Sequence, residues 1–136
     1  MYEDLRLNFH MPVKTCLLVS DDPDDQVEFT EALSEISADL IAIVLPDPKR
    51  AADLVFSKRH IPDYIIVDLS VNGFAHDDFF SRLASDHDFE DMVVIAFGDD
   101  SEYEEVKSGK VSAFLERDSA YTDIRKFLRR VIRGEG

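Results

Sequence analysis

Residues 17–33 read LLVSDDPDDQVEFTEAL, an apolar run followed by four aspartates within five positions and then by apolar residues at helical spacing. Pro23 suits the first turn of a helix, and Asp22 before it suits the N-cap, where a side-chain oxygen accepts free backbone N–H groups. Asp24 and Asp25 then lie where the helix dipole favours negative charge. Asp21 has no such explanation, because it falls where the preceding strand is predicted to end. One aspartate is therefore left for another role.

The rest of the chain repeats this order of strand and helix. Five short apolar segments rich in β-branched residues are predicted as buried strands: residues 13–19, 40–45, 64–69, 92–97 and 113–115. Between them apolar residues recur at helical spacing, for example Phe29, Leu33 and Ile36 after the first strand. Strand alternating with helix five times predicts a parallel α/β sheet.

Length and composition predict one domain. A chain of 136 residues can bury one core without disulfides or a structural metal. The lone Cys16 lies in an apolar run and has no partner for an intrachain disulfide, so we expect a reducing cytoplasm and no membrane association. Residues 1–12 are predicted as an extension whose alternating apolar side chains suit an edge strand or a fraying end, with fraying favoured. Residues 13–136 are predicted as the domain.

The charge of the chain is negative and uneven. A formal net charge of −14 argues against binding to nucleic acids, whose backbone is itself anionic. Residues 117–136 carry six basic and three acidic side chains, a net of +3, so the rest carries −17. The basic last helix is interpreted either as a docking face or as a solvated helix exterior, and the second interpretation is favoured.

Two aspartates end predicted strands. Asp21 ends the first strand, and Asp68 ends the third, which reads YIIVDL. Ligands of an open parallel sheet bind beyond the carboxyl ends of the strands, where the strand order reverses. Burial of an unpaired carboxylate is unfavourable, so two such ends facing each other predict a site for a cation or a phosphate group.

At these residues the sequence resembles the receiver domain of two-component response regulators, especially the short single-domain kind. The motifs that carry the resemblance are LLVSDDPDDQVEFTEAL at residues 17–33 and PDYIIVDLSVNGFAHDDFF at residues 62–80, and it covers about residues 13–133. It implies a flavodoxin-like fold, with a five-stranded parallel sheet in the order 2-1-3-4-5 and helices on both faces. It also implies a phosphoprotein of a two-component phosphorelay that signals and is not an enzyme.

The resemblance assigns roles to the residues that are intact. Asp68 matches the phosphoacceptor aspartate, and Asp21 matches the acid that directly ligates magnesium. The main-chain carbonyl of Ser70 falls where the family completes the metal site, and Asp22 is kept as an additional ligand that would bind through water. These are the oxygen ligands of an octahedral Mg²⁺ site that retains several waters. Weak binding of Mg²⁺ is expected.

Other family positions are altered. Ser20 stands where the first acid of the acidic pair is expected, and Asn72 replaces the usual proline. Phe97 occupies the place of the threonine or serine that hydrogen-bonds the phosphoryl group, and an aromatic ring cannot make that bond. Arg117 replaces the lysine that neutralises phosphoryl charge, and a shift of one residue in the alignment would put Glu116 there instead. Arginine and lysine are not equivalent at a tight point-charge site.

These substitutions leave two hypotheses open. In the first, Asp68 accepts a phosphoryl group from a histidine kinase or phosphotransfer protein, and the chain signals by binding an unidentified protein, with a homodimer left open. In the second, the chain is a pseudo-receiver, an interaction module that works without phosphorylation, and Arg117 caps a leftover acidic pocket. A magnesium-dependent phosphatase is a distant third, because Ser70 stands where its general acid would be needed.

Overall fold

The five predicted strands form one sheet. The computed structural model describes residues 13–71, 78–118 and 121–134. The strands are β1 (Lys14–Val19), β2 (Leu40–Leu45), β3 (Tyr64–Asp68), β4 (Val93–Gly98) and β5 (Ala113–Glu116). Neighbouring strands are parallel and lie in the order β2-β1-β3-β4-β5. The predicted order 2-1-3-4-5 is confirmed, and each strand begins and ends within one residue of its predicted position.

Helices connect the strands and cover both faces of the sheet. They are α1 (Pro23–Ile36), α2 (Pro48–Phe56), α3 (Phe79–Ala84), α4 (Asp100–Val106) and α5 (Tyr121–Leu128). A 3-10 turn, His87–Phe89, precedes β4, and a π-helical turn, Arg129–Arg133, follows α5. The chain passes from β1 outward to β2 and then back across β1 to β3. The strand order therefore reverses between β1 and β3, and a crevice forms there at the carboxyl edge.

The start of α1 forms as its sequence predicts. The Asp22 side chain accepts hydrogen bonds from the backbone N–H groups of Asp24 and Asp25, and Pro23 occupies the first turn. Phe29 and Leu33 of the predicted apolar stripe are each 1% exposed. The N-cap fixes the first turn of α1 directly beyond the end of β1, next to the crevice.

Alternate side chains of each strand enter two cores. On one face the strands pack against α2, α3 and α4, and on the other against α1 and α5. Cys16 lies in the second core, where burial raises the pKa of its thiol to about 12. A thiol in this environment stays protonated and behaves as a small apolar side chain.

Two predictions concern residues that the structure does not describe. The extension at residues 1–12 lies outside the described residues, and so does the substitution at Asn72. The division into residues 1–12 and 13–136 stays a prediction. In the described part of the chain, every helix is too short or too polar to cross a membrane.

Candidate functional site

Asp68 lies buried at the reversal of strand order. The adjacent strands β1 and β3 are in register at Val19 and Val67, so the residues that follow, Ser20 and Asp68, lie side by side. Each is 1% exposed, and the Ser20 hydroxyl lies 3.5 Å from Asp68 Oδ2. The structure thus places a carboxylate where a ligand of this type of sheet binds.

The other oxygen of this carboxylate, Asp68 Oδ1, accepts three hydrogen bonds. The Ser70 backbone N–H donates at 2.9 Å and the Ser70 hydroxyl at 2.7 Å. The Arg117 guanidinium donates through Nη2 at 2.6 Å. Because a carboxylate oxygen has two lone pairs in its plane, three donors saturate Oδ1. The two oxygens of Asp68 are therefore unequal, and Oδ2 is the less occupied one.

The sequence interpretation of Ser70 used only its main-chain carbonyl. The structure adds that the N–H and hydroxyl of Ser70 hold the acceptor oxygen of Asp68. The contact from the Ser70 N–H to the side chain of the aspartate two residues earlier is that of an Asx-turn. Every residue except proline has this N–H, so nothing in the sequence singled the contact out.

Arg117 and Phe97 form one unit beside Asp68. Phe97 pairs with Asp68 across β3 and β4 and is 3% exposed. The Arg117 guanidinium carbon lies 4.5 Å from the centre of the Phe97 ring, a cation–π arrangement. The ring contacts Phe29 of α1 edge-on, with centroids 5.1 Å apart. The aromatic side chain at the predicted threonine position therefore supports the arginine at the predicted lysine position.

The structure brings Arg117, and not Glu116, into contact with Asp68. Glu116 is exposed and pairs in register with Gly98 on the neighbouring strand. The backbone N–H of Arg117 donates to the Gly98 carbonyl at 2.7 Å and directs the arginine towards Asp68. Burial acts to lower the pKa of Arg117, but its hydrogen bond to Asp68 and the charge of that carboxylate raise it by more.

Asp25 is the site residue that the sequence interpretation missed. Arg117 Nη1 lies 3.5 Å from Asp25 Oδ2, which is buried and has no hydrogen-bond partner among the described residues. Burial, and then the negative charges of Asp22 and Asp68, raise the pKa of the Asp25 carboxyl. The helix dipole at the first turn of α1 therefore explains only part of why an aspartate lies at position 25. Asp25 precedes Phe29 by four residues and so lies on the apolar stripe that faces the sheet.

The donor set at the β1 end fits a hard cation. Asp21 is exposed, and its carboxylate makes no hydrogen bond or ion pair with the residues the structure describes. Within the part of the chain that the structure describes, the one hydrogen-bond contact of Asp68 Oδ2 is the long one from Ser20. Oxygen atoms of this kind are the ligands Mg²⁺ takes. Asp22 uses Oδ1 for the N-cap, so its predicted contribution through water would come from the other oxygen.

Part of the basic charge of the last helix is used within the molecule. Arg125 of α5 forms ion pairs with Glu28 and Glu35, both on α1. These pairs join the two helices that cover one face of the sheet. Arg125 is therefore not free to act in the docking face that the sequence left open.

Comparisons with known proteins bear on the fold. No family model matches this sequence, and no curated protein matches it. Among solved structures it is similar to the phosphorylated cyanobacterial phytochrome response regulator RcpA, with a TM-score of 0.76 and 14% identity over 92% of this chain and 98% of that one. It is also similar to the chemotaxis response regulator CheY4 of Vibrio cholerae, with a TM-score of 0.71 and 16% identity over 89% and 100% of the two chains.

A third similar structure is the receiver domain of the sensor histidine kinase PA1611 from Pseudomonas aeruginosa, with a magnesium ion coordinated in its active site cleft. Its TM-score is 0.68, with 16% identity over 90% of this chain and 99% of that one. These similarities extend over nearly the whole length of each domain. The chain has the receiver fold, and the resemblance stated from the sequence is confirmed at that level.

Proposed function

We propose that this chain is a receiver of a two-component phosphorelay and accepts a phosphoryl group on Asp68. The observation that carries the proposal is the buried Asp68 carboxylate at the strand-order reversal of a receiver fold, with three donors on one oxygen and Ser20, at the end of β1, near the other. A buried carboxylate at the carboxyl edge of a parallel sheet, where the strand order reverses, lies where ligands of such sheets bind. The donor would be a phosphohistidine of a histidine kinase or phosphotransfer protein.

The transfer is a nucleophilic displacement at phosphorus. An Asp68 oxygen forms a bond to phosphorus while the bond from phosphorus to the histidine nitrogen breaks, and the imidazole takes up a proton. The product on this chain is an acyl phosphate. Oδ1 is the attacking atom in this proposal, because Oδ2 faces the end of β1, where the cation would lie.

Mg²⁺ would be held by Asp21, by Asp68 Oδ2 and by the main-chain carbonyl of Ser70, with Asp22 acting through water. When bound, it supplies positive charge that offsets the repulsion between the carboxylate and the phosphoryl oxygens. The N–H and hydroxyl of Ser70 orient the Asp68 carboxylate, and both already contact Oδ1.

The altered positions imply slow transfer. Phe97 supplies no hydroxyl to the phosphoryl group, and Arg117 reaches that group only after it leaves Asp68 Oδ1. Each charge-assisted contact contributes roughly 1.5–3 kcal/mol, so the absence of two would slow transfer on the order of a hundredfold or more.

One observation favours the pseudo-receiver as the second candidate function. Arg117 pairs with Asp68 at 2.6 Å above the buried ring of Phe97, an arrangement that can hold the site in one state without phosphorylation. In this alternative the surface of the domain binds a partner constitutively. In either function the setting is a reducing cytoplasm, which the single buried thiol of Cys16 fits, and the output is a protein–protein contact.

The test is incubation with a small acyl phosphate and Mg²⁺, followed by intact mass measurement. We expect a gain of about 80 Da, the mass of one phosphoryl group, in the wild type and none in Asp68→Asn. Asp24→Asn is the matched control, because this exposed aspartate of the same helix turn has no contact with Asp68. A folded wild type that never gains this mass would leave the pseudo-receiver as the function.

A further inference from the structure

We infer that Asp25 is a positioning residue for phosphoryl acceptance, because it can draw the guanidinium of Arg117 away from Asp68 and so free the acceptor oxygen. The inference rests on the proposed function of Asp68 and adds how access to that carboxylate is controlled. It concerns a residue of α1, whereas the acceptor and the arginine belong to the sheet.

The first step is that donors have to leave Asp68 Oδ1 before transfer. Three donors occupy this oxygen, which has two lone pairs in its plane, so an attack on phosphorus needs the departure of two of them. The Ser70 N–H is fixed in a turn that is closed by the hydrogen bond from the Val71 N–H to the Asp68 carbonyl at 3.1 Å. The Ser70 hydroxyl can turn its hydrogen away by rotation, whereas the charged guanidinium of Arg117, on a long side chain that is 32% exposed, needs another partner to move to.

The second step is that Asp25 offers the arginine another partner. Arg117 Nη1 lies 3.5 Å from Asp25 Oδ2, beyond the usual range of about 2.7–3.2 Å for an N–H···O hydrogen bond. Oδ2 is buried and has no hydrogen-bond partner within the described residues, which is unfavourable for a polar atom. A movement of Arg117 towards Asp25 would pair this oxygen while it lengthens the distance to Asp68.

The third step is that the movement costs little free energy. The Phe97 ring lies under the guanidinium, and a cation can shift over an aromatic face while most of the attraction is kept. A charge-assisted hydrogen bond to Asp25 then replaces the one to Asp68, and the two bonds are of the same charge type. The two carboxylates thus compete for one guanidinium, and the approach of a phosphoryl group or of a cation to Asp68 decides between them.

The experiment compares Asp25→Asn with Asp24→Asn, which makes the same charge change one residue away without contact to Arg117. We expect Asp25→Asn to lower the maximal rate of labelling by acyl phosphate about tenfold, with little change in the phosphodonor concentration at half-maximal rate. The Asp24→Asn variant should label at nearly the wild-type rate. A simple charge effect has the opposite sign, because removal of an anion near an anionic phosphodonor speeds transfer. Partial rescue by Asp25→Glu is expected.

The same substitution of Asp25, made in a protein that already carries Arg117→Gln, shows whether Asp25 acts through the arginine. In that background Asp25→Asn should no longer slow labelling, because no guanidinium remains to be drawn away. Equal slowing in both backgrounds would overturn the inference, and so would a faster Asp25→Asn variant. Thermal unfolding of every variant establishes that the rates refer to folded protein.

A second measurement separates this inference from the proposed function. If the wild type does not label at all, the acceptor role fails. The inference that Asp25 acts on Arg117 is then tested by Mn²⁺ binding, measured by electron paramagnetic resonance. A cation at Asp68 Oδ2 and the Arg117 guanidinium at Oδ1 repel each other across one carboxylate, so Asp25→Asn, which keeps the guanidinium at Asp68, should weaken Mn²⁺ binding more in the wild-type background than in Arg117→Gln. Equal weakening in the two backgrounds would mean that Asp25 and Arg117 act independently.

Discussion

Two arginines of this protein each bridge two carboxylates, and both reach helix α1. Arg125 lies between two glutamates along the outer part of that helix. Arg117 lies between Asp25 in its first turn and Asp68 at the end of β3. The two arginines are exposed to a similar extent, 28% and 32%, and one partner of each is partly buried, Glu28 at 15% and Asp25 at 20%. The other partners differ, because the Glu35 side chain is 47% exposed and the Asp68 side chain 2%.

The comparison shows why position in the fold decides what an ion pair can do. Solvent compensates the exposed Glu35 when its arginine moves, so that pair contributes little free energy, and together with the pair to Glu28 it joins α1 and α5. Asp68 has no such compensation, because its neighbours exclude water and, among the described residues, its carboxylate is satisfied by Ser70, Ser20 and Arg117 alone. An arginine at that place controls the state of the carboxylate.

The largest expected effect comes from converting the arginine site towards the family pattern. The double change Phe97→Thr, Arg117→Lys supplies a hydroxyl and a compact ammonium, and we expect labelling by acyl phosphate to become on the order of a hundredfold faster. Truncation of the buried Phe97 destabilises the protein by roughly 3 kcal/mol or more, so unfolding is measured on the same samples. Arg125→Lys is the matched change at the other arginine and should leave the rate unaltered. Equal rates in the parent and the double variant would show that these positions do not limit phosphorylation.

The second effect is on stability. Arg117→Met removes the charge that faces the buried Asp68 carboxylate, and we expect the free energy of unfolding to fall by about 2 kcal/mol, less than for a fully enclosed pair because the arginine is partly exposed. Arg125→Met should lower it by less, because the Glu35 carboxylate that it leaves is 47% exposed and water can replace the arginine there. Urea unfolding measures both. Similar decreases for the two variants would remove the distinction between the two arginines.

The smallest expected effect is a pH dependence of protein stability that the Asp25 carboxyl causes. Its carboxyl pKa is raised above the ordinary value of 3.8, mainly by burial, so ionisation is less favourable in the folded state. The contribution of this carboxyl group to the free energy of unfolding is therefore most favourable below pH 3.8, where the group is protonated. That contribution is lost as the pH rises through the raised pKa. Asp25→Asn should raise the Tm near neutral pH, and the gain should vanish in acid. A gain that persists at low pH, or that Asp24→Asn shares, would contradict this origin.

The sequence predicts the frame of the site better than its contacts. The strands and the position of Asp68 follow from apolar runs that end in an aspartate, because parallel strands bring their carboxyl ends to one edge. The pairing of Arg117 with Asp68 depends on where β5 ends, and a shift of one residue would have placed Glu116 there. The position of Asp25 depends on how the first turn of α1 is rotated against the sheet, which its spacing from Phe29 indicates but does not fix.

The most direct test of the central claim is to locate the phosphoryl group in the wild-type protein. After incubation with acyl phosphate and Mg²⁺, borohydride reduces an aspartyl phosphate to homoserine, and peptide mass mapping finds the changed residue. We expect homoserine at position 68 only, and none when Mg²⁺ is chelated. Homoserine at another aspartate, or none under conditions that label the Phe97→Thr, Arg117→Lys variant, would contradict the role of Asp68 as the acceptor in the native chain.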